Sequence, residues 1–206
     1  MPSDVEIANA SLTKLGHNSI QSFLDDSDEA RAVNAVYSFC RDDVQAAHPW
    51  NFATVRSQFA KLAEDPSTVT DEFSNVYALP TDTLRVLWIE PKSWRFVVEN
   101  GKLYTNVGEP LKGAIIKRIT DAGSFSTPFT ICMVYRLAAE LCNALTARSG
   151  TSRDFYASYL QKLQEAKSTD GMESSPEPED LNPLADARMG GVAGSVGIYY
   201  DGFYAR

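Results

Sequence analysis

Apolar residues recur at helical spacing in two stretches near the start of the chain. Val5, Ala8, Leu12 and Leu15 form the first; Val33, Val36, Tyr37, Cys40 and Val44 form the second. Ser3 and Glu6 precede the first in a capping-box pattern, the hydroxyl placed to accept from an orphan N–H while the carboxylate reaches back. Gly16 supplies a left-handed residue to end that helix. The acids in Asp25-Asp26-Ser27-Asp28-Glu29 favour a helix N-terminus before the second stretch. His48-Pro49 stops it, because the residue before a proline is pushed out of the helical region. Residues 1–50 therefore predict a helical hairpin.

The pattern then changes. Phe73 to Leu79, Leu84 to Glu90, Trp94 to Glu99, Lys102 to Thr105 and Ala114 to Ile119 are short β-prone runs, while 55–64 fits helix and strand equally. Asn100-Gly101 is the strongest local signal, a two-residue hairpin turn that would pair Glu99 with Lys102 and Val98 with Leu103. Thr127-Pro128 opens a third helix, Thr as N-cap and Pro at the first helical position, running to about Arg148. That helix is apolar almost all round, interrupted by a stripe of Arg136, Glu140 and Asn143. So wide an apolar circumference exceeds what one small bundle covers, and points to a bundle centre or a subunit contact. Thr151 and Asp154 fit a capping box for a fourth helix with Tyr156, Tyr159, Leu163 and Ala166 inward; its periodicity stops after Lys167. The predicted class is α+β. About four helices (1–50 and 126–169) bundle around an inserted antiparallel β-rich part (51–125), followed by an extended tail (170–206).

The tail differs in kind. It is rich in glycine, contains Ser175-Pro176-Glu177-Pro178 and has no lysine, yet its end concentrates Tyr199, Tyr200, Phe203 and Tyr204. A strap with an aromatic end suits partner binding. Charge sharpens the contrast. Of the net −8, the segment from Asp170 onward carries −5, with seven acids against two bases. A basic footprint for nucleic acid is absent from the molecule as a whole, although Arg85, Lys92, Arg95, Lys102, Lys112, Lys117 and Arg118 cluster in the β-rich part. No window is apolar enough for a membrane span. The acidic start lacks the features of a signal peptide, and three cysteines suit a reducing compartment.

No constellation suggests catalysis. His17 and His48 stand outside metal or triad spacing, and His48 reads as a structural corner. Cys132 and Cys142 lie ten apart with no C-x-x-C, as core thiols do. Asp25, Asp26 and Asp28 lack the glycine and later glutamate of a calcium loop. Gly191, Gly194 and Gly197 follow no strand and miss the dinucleotide fingerprint. The expectation is a protein that is not an enzyme and has no cofactor, metal or catalytic residue. Arg136 and Glu140 are expected as an ion pair at a contact surface, and Tyr199, Tyr200, Phe203 and Tyr204 as partner anchors.

Leu12-x-x-Leu15-Gly16, Ile20-Gln21-Ser22, Asp25-Asp26-Ser27, Ala30, Asn34, Tyr37, Arg41-Asp42 and above all His48-Pro49-Trp50-Asn51-Phe52-Ala53 carry a resemblance. In order and spacing they resemble the tail tubular protein A family of tailed bacteriophages, which are head-to-tail adaptors, also called connector or head-completion proteins. Leu79-Pro80, Arg136-Leu137-Ala138-Ala139-Glu140-Leu141 and the last helix around Tyr156 fit the same pattern, so the likeness covers about residues 5–167. It implies a structural virion protein, made in the host cytoplasm and placed at the head-tail junction. Copies would form a ring, commonly a dodecamer, between the portal protein and the tail nozzle or next tail component. Genomic DNA would pass through the channel without specific binding, for retention and ejection, and no membrane is involved. Two other expectations stay open: a sequence-tolerant DNA-binding module using the basic β segment, and a small hydrolase or nucleotide-binding protein. The tail is expected to dock on a neighbouring subunit or the portal, with Glu173–Asp180 as spacer.

Overall fold

The computed structural model describes residues 2–63, 72–146 and 149–173. The chain divides into two units, Met1–Glu173 and Ser174–Arg206, and every described residue belongs to the first. Four helices and a six-stranded antiparallel sheet make that unit α+β.

Helix α1 (Asp4–Leu15) begins with the expected capping box, Ser3 Oγ accepting from Glu6 N–H while Glu6 accepts from Ser3 N–H. It ends at Gly16, whose φ of 75° is the left-handed conformation that carbon substituents at Cα disfavour. Helix α2 (Asp28–Ala46) is capped by Ser27, from the middle of the acidic run, and stops just ahead of His48-Pro49. Its inner face is Val33, Tyr37, Cys40 and Val44.

Helix α3 (Thr127–Thr146) starts one residue later than its cap: Ser126 Oγ, not Thr127, accepts from Phe129 N–H. It is the bundle's centre, packed by α1, by α2 and by α4 (Ser149–Met172). These neighbours cover the apolar circumference that the sequence led us to think one subunit could not. Phe129, Cys132, Met133, Leu137, Leu141 and Cys142 are fully buried, and Ile131 is the one large apolar side chain of α3 left exposed. In α4, Tyr159, Leu163 and Ala166 face inward as expected, but Tyr156 is 46% exposed. The helix starts at Ser149, so Thr151 and Asp154 lie inside it and do not cap it. It also continues past Lys167 and past residue 169, ending at Met172.

The segment that fitted either helix or strand is strand β1 (Thr54–Lys61). The others are β2 (Asn75–Ala78), β3 (Thr83–Ile89), β4 (Phe96–Glu99), β5 (Lys102–Thr105) and β6 (Leu111–Lys117), in the order β3-β6-β1-β2-β5-β4. The β4–β5 hairpin has the expected register, Glu99 opposite Lys102 and Val98 opposite Leu103. Asn100 and Gly101 both take positive φ, 48° and 70°, as a primed turn requires. Strand β1 joins two leaves: Thr54–Phe59 pairs with β6, and only Ala60 and Lys61 pair with β2. Between the leaves lies a small core of Phe59, Tyr77, Ile89, Leu103, Leu111 and Ile115. Ile116, with Leu84 and Leu87, joins the larger core of the bundle, tying sheet to helices.

Two side-chain amides stitch irregular segments onto helices as a neighbouring strand would. Asn9 on α1 donates to Ile20 O at 2.9 Å and accepts from Ile20 N–H at 2.8 Å. Gln45 on α2, fully buried, donates to Ile119 O at 2.7 Å and accepts from Ile119 N–H at 2.9 Å. Each pair satisfies backbone groups that no ladder reaches.

Candidate functional site

The His48–Ala53 run is the joint between bundle and sheet. Trp50 is fully buried and donates from Nε1 to Val44 O at 2.8 Å. Its ring meets Phe129 edge-on at 5.2 Å and His48 edge-on at 4.9 Å, and Phe129 in turn packs on Phe52 and Phe125. Such tilted contacts add to simple area burial. From α4, the carboxylate of Asp170, 5% exposed, lies 3.0 Å from His48 Nε2 and accepts from Asn51 N–H at 3.3 Å. Asn51 Nδ2 also donates to Asp170 O at 2.8 Å. Burial pushes the His48 imidazole below its ordinary pKa, outweighing the opposite pull of Asp170. His48 is thus a structural corner, and its partner is an acid that sequence reasoning assigned to the tail.

Arg136 and Glu140 are brought together as expected, with a third member that the sequence did not reveal. Arg136 on α3 bonds Glu140 one turn on and donates from Nε to Asp43 on α2 at 2.8 Å. Its guanidinium lies 5.7 Å from the ring centre of Tyr156 on α4. Burial of the guanidinium would lower its pKa, but the bonds to Asp43 and Glu140 prevail and raise it. The charge is therefore permanent and doubly answered. This three-helix junction floors a cleft of about 310 Å³ rimmed by Asn143, Arg153, Tyr156 and Leu160. Tyr156 and Leu160 are each nearly half exposed, and Phe39, one turn before Asp43 on α2, is 74% exposed. Large exposed apolar groups thus surround a fixed ion pair.

The three cysteines are buried and free; burial pushes the Cys40 thiol up to about 12 and the Cys132 thiol up to about 11, leaving neither nucleophilic. Among the described residues no three His, Cys, Asp or Glu side chains are grouped to hold a metal ion. Among the same residues, no helix is long and apolar enough to cross a membrane. The basic β segment is largely answered by acids. Lys117 pairs with Asp82 at 3.0 Å, Arg118 with Asp42 at 2.8 Å and Arg95 with Glu72, and Lys102 stands opposite Glu99. Tyr199, Tyr200, Phe203 and Tyr204 lie outside the described residues. No protein-family model matches the chain, and no curated protein matches its sequence.

Proposed function

We propose that the protein is a structural virion subunit of a tailed bacteriophage. It acts as a head-to-tail adaptor, twelve copies forming a ring that joins the portal to the next tail component and continues the DNA channel. The observation that carries this is the His48–Ala53 run, the most specific part of the likeness to the tail tubular protein A family. Its residues form the joint that fixes the helical bundle to the sheet through Trp50, Asn51 and Asp170. The exposed Phe39, Tyr156 and Leu160 around the Asp43–Arg136–Glu140 cluster support the same conclusion, as a surface suited to a neighbouring subunit. The permanent charges fix orientation while the apolar rim supplies contact area. Tyr199, Tyr200, Phe203 and Tyr204 would anchor the tail on a neighbour or the portal.

Adaptors of this kind assemble on a template, so the free protein should be small and form rings when mixed with portal. Negative-stain microscopy of the mixture, with co-sedimentation, tests this. Replacing Tyr156 and Leu160 with alanine should leave folding nearly unchanged, within about 1 kcal/mol for exposed sites, and lower ring occupancy. A subunit that stays monomeric at saturating portal and never co-sediments overturns the adaptor assignment.

A further inference from the structure

The leaf formed by β3, β6 and β1 carries a second surface, beyond the part that the bundle covers at Ile116. Register places Arg56, Ala114 and Trp88 in one row across its three strands. An irregularity between Val86 and Trp88 sets this row: two residues of β3 advance against one of β6. Trp88 therefore turns to the face of Arg56, while Val86 keeps to the inter-leaf core. Ala114 between them is small, and across it the Arg56 guanidinium carbon lies 5.8 Å from the ring centre of Trp88. Nζ of Lys92 lies 5.2 Å from the same centre. Lys112, opposite Gln58, is the diagonal neighbour of Arg56, a spacing of about 7–8 Å between strands. Arg56, Gln58, Trp88 and Lys112 line an open groove of about 360 Å³, together with Glu90.

The groove sets two cations beside an indole. Arg31, Arg41, Arg95, Arg118, Arg136 and Lys117 all have a carboxylate within ion-pair distance. Arg56 and Lys112 have none among the described residues, as is true of Lys14, Lys61, Arg85, Arg153 and Lys167, but only these two lie in one groove with a tryptophan. Two unanswered cations flank an indole that is only partly covered.

We propose that this groove receives Ser175-Pro176-Glu177-Pro178-Glu179-Asp180 from a neighbouring copy of the chain, a proline stacking on Trp88 and the acids pairing with Arg56 and Lys112. Three features converge on that occupant. Glu173 to Asp180 carries four acids and no base, complementing the groove. Alternating prolines favour the extended polyproline conformation, which rises about 3.1 Å per residue and docks into aromatic-lined grooves with little entropy left to lose. The segment directly follows the described unit, so each copy carries one groove and one ligand. A polyphosphate fits less well, because it has no apolar ring to lay on Trp88, and Glu90, which also lines the groove, opposes either anion. The proposal rests on the ring only in taking its ligand from a neighbour.

The test uses the full chain carrying Glu177→Gln, Glu179→Gln and Asp180→Asn, so that its own segment does not compete. A labelled peptide of residues 173–187 is titrated against it by fluorescence anisotropy. Saturable binding that weakens with salt is expected. Arg56→Glu with Lys112→Glu should weaken it about tenfold or more, and Trp88→Leu about threefold. A peptide with lysine at 177, 179 and 180 should bind the charge-reversed chain and not the original, a rescue that a misfolded variant could not give. No saturable binding, or equal binding to the reversed groove, overturns the proposal. So does a single-stranded oligonucleotide that displaces the peptide and binds more tightly. Rings forming on portal without peptide binding would sink the groove's ligand alone. Peptide binding with charge rescue but no rings would leave the groove standing and remove the adaptor.

Discussion

Asp170→Ala is the perturbation whose outcome follows most directly from the structure. The carboxylate is buried at the end of α4 and accepts from His48 and from the Asn51 backbone, both at the joint. Hydrogen bonds to a charged group contribute about 1.5–3 kcal/mol each when removed. The bond from the Asn51 side-chain Nδ2 to the backbone carbonyl of residue 170 survives the substitution, and His48, 18% exposed at its side chain, regains some water. The expected loss is therefore about 2 kcal/mol, or a Tm lower by about 4–8 °C for a chain of this size. Circular dichroism melts at pH 7.5 measure it. A double-mutant cycle with His48→Ala should return a coupling of about 1 kcal/mol. The imidazole provides a second readout by NMR titration. Asp170 is the group that favours its protonation, so its removal should lower the His48 pKa further. A Tm within about 1 °C of wild type, or a His48 pKa that rises, would refute the joint as described.

Stability should also fall with acid through His48. Its folded pKa lies below the unfolded one, so between the two the unfolded chain binds the extra proton; the contribution is complete above about pH 6.5 and is lost as pH drops below it. Urea midpoints at pH 7.5 and 5.5 should differ more for wild type than for His48→Asn. Gly101→Val places a β-branched side chain at φ 70° and should cost about 1–2 kcal/mol; an unchanged melt would show that the turn is otherwise. Gln45→Leu leaves the Ile119 N–H and C=O without partners and should cost about 2–3 kcal/mol, read as a lower urea midpoint at unchanged m-value.

Local chemistry was legible in the sequence wherever one short segment decides the outcome. The Ser3–Glu6 box, the Gly16 terminus, the stop at His48-Pro49 and the Asn100-Gly101 turn all depend on neighbours a few residues apart. What depends on distant partners was not. Strand β1 has a single buried side chain, Phe59, so it shows no alternation, and only its pairing with β6 makes it a strand. Tyr156 fits the helical stripe of α4, yet Arg136 and the cleft hold it at the surface. Asp170 sits in an acidic composition that reads as tail, while its role is set by His48 and Asn51, over a hundred residues earlier. The basic run of the β part likewise says nothing of which cations meet Asp42, Asp82 or Glu72 and which stay unanswered.

The Gln45 amide has a consequence for how the chain tolerates changes in length. Helix α2 advances about 1.5 Å per residue and strand β6 about 3.4 Å, so nothing in their periodicities fixes one against the other. Gripping both the N–H and the C=O of Ile119 makes Gln45 an indexing pin. It sets the phase of β6, whose Ile116 must enter the bundle core while Ile115 enters the inter-leaf core. One residue inserted between Lys117 and Ile119 would offer the pin the wrong peptide or drag the strand out of phase. A residue added between Gly108 and Glu109, in the loop between β5 and β6 and past the Val107 carbonyl that Tyr77 holds, meets no such lock. Length variants should therefore survive in the second place and fail in the first.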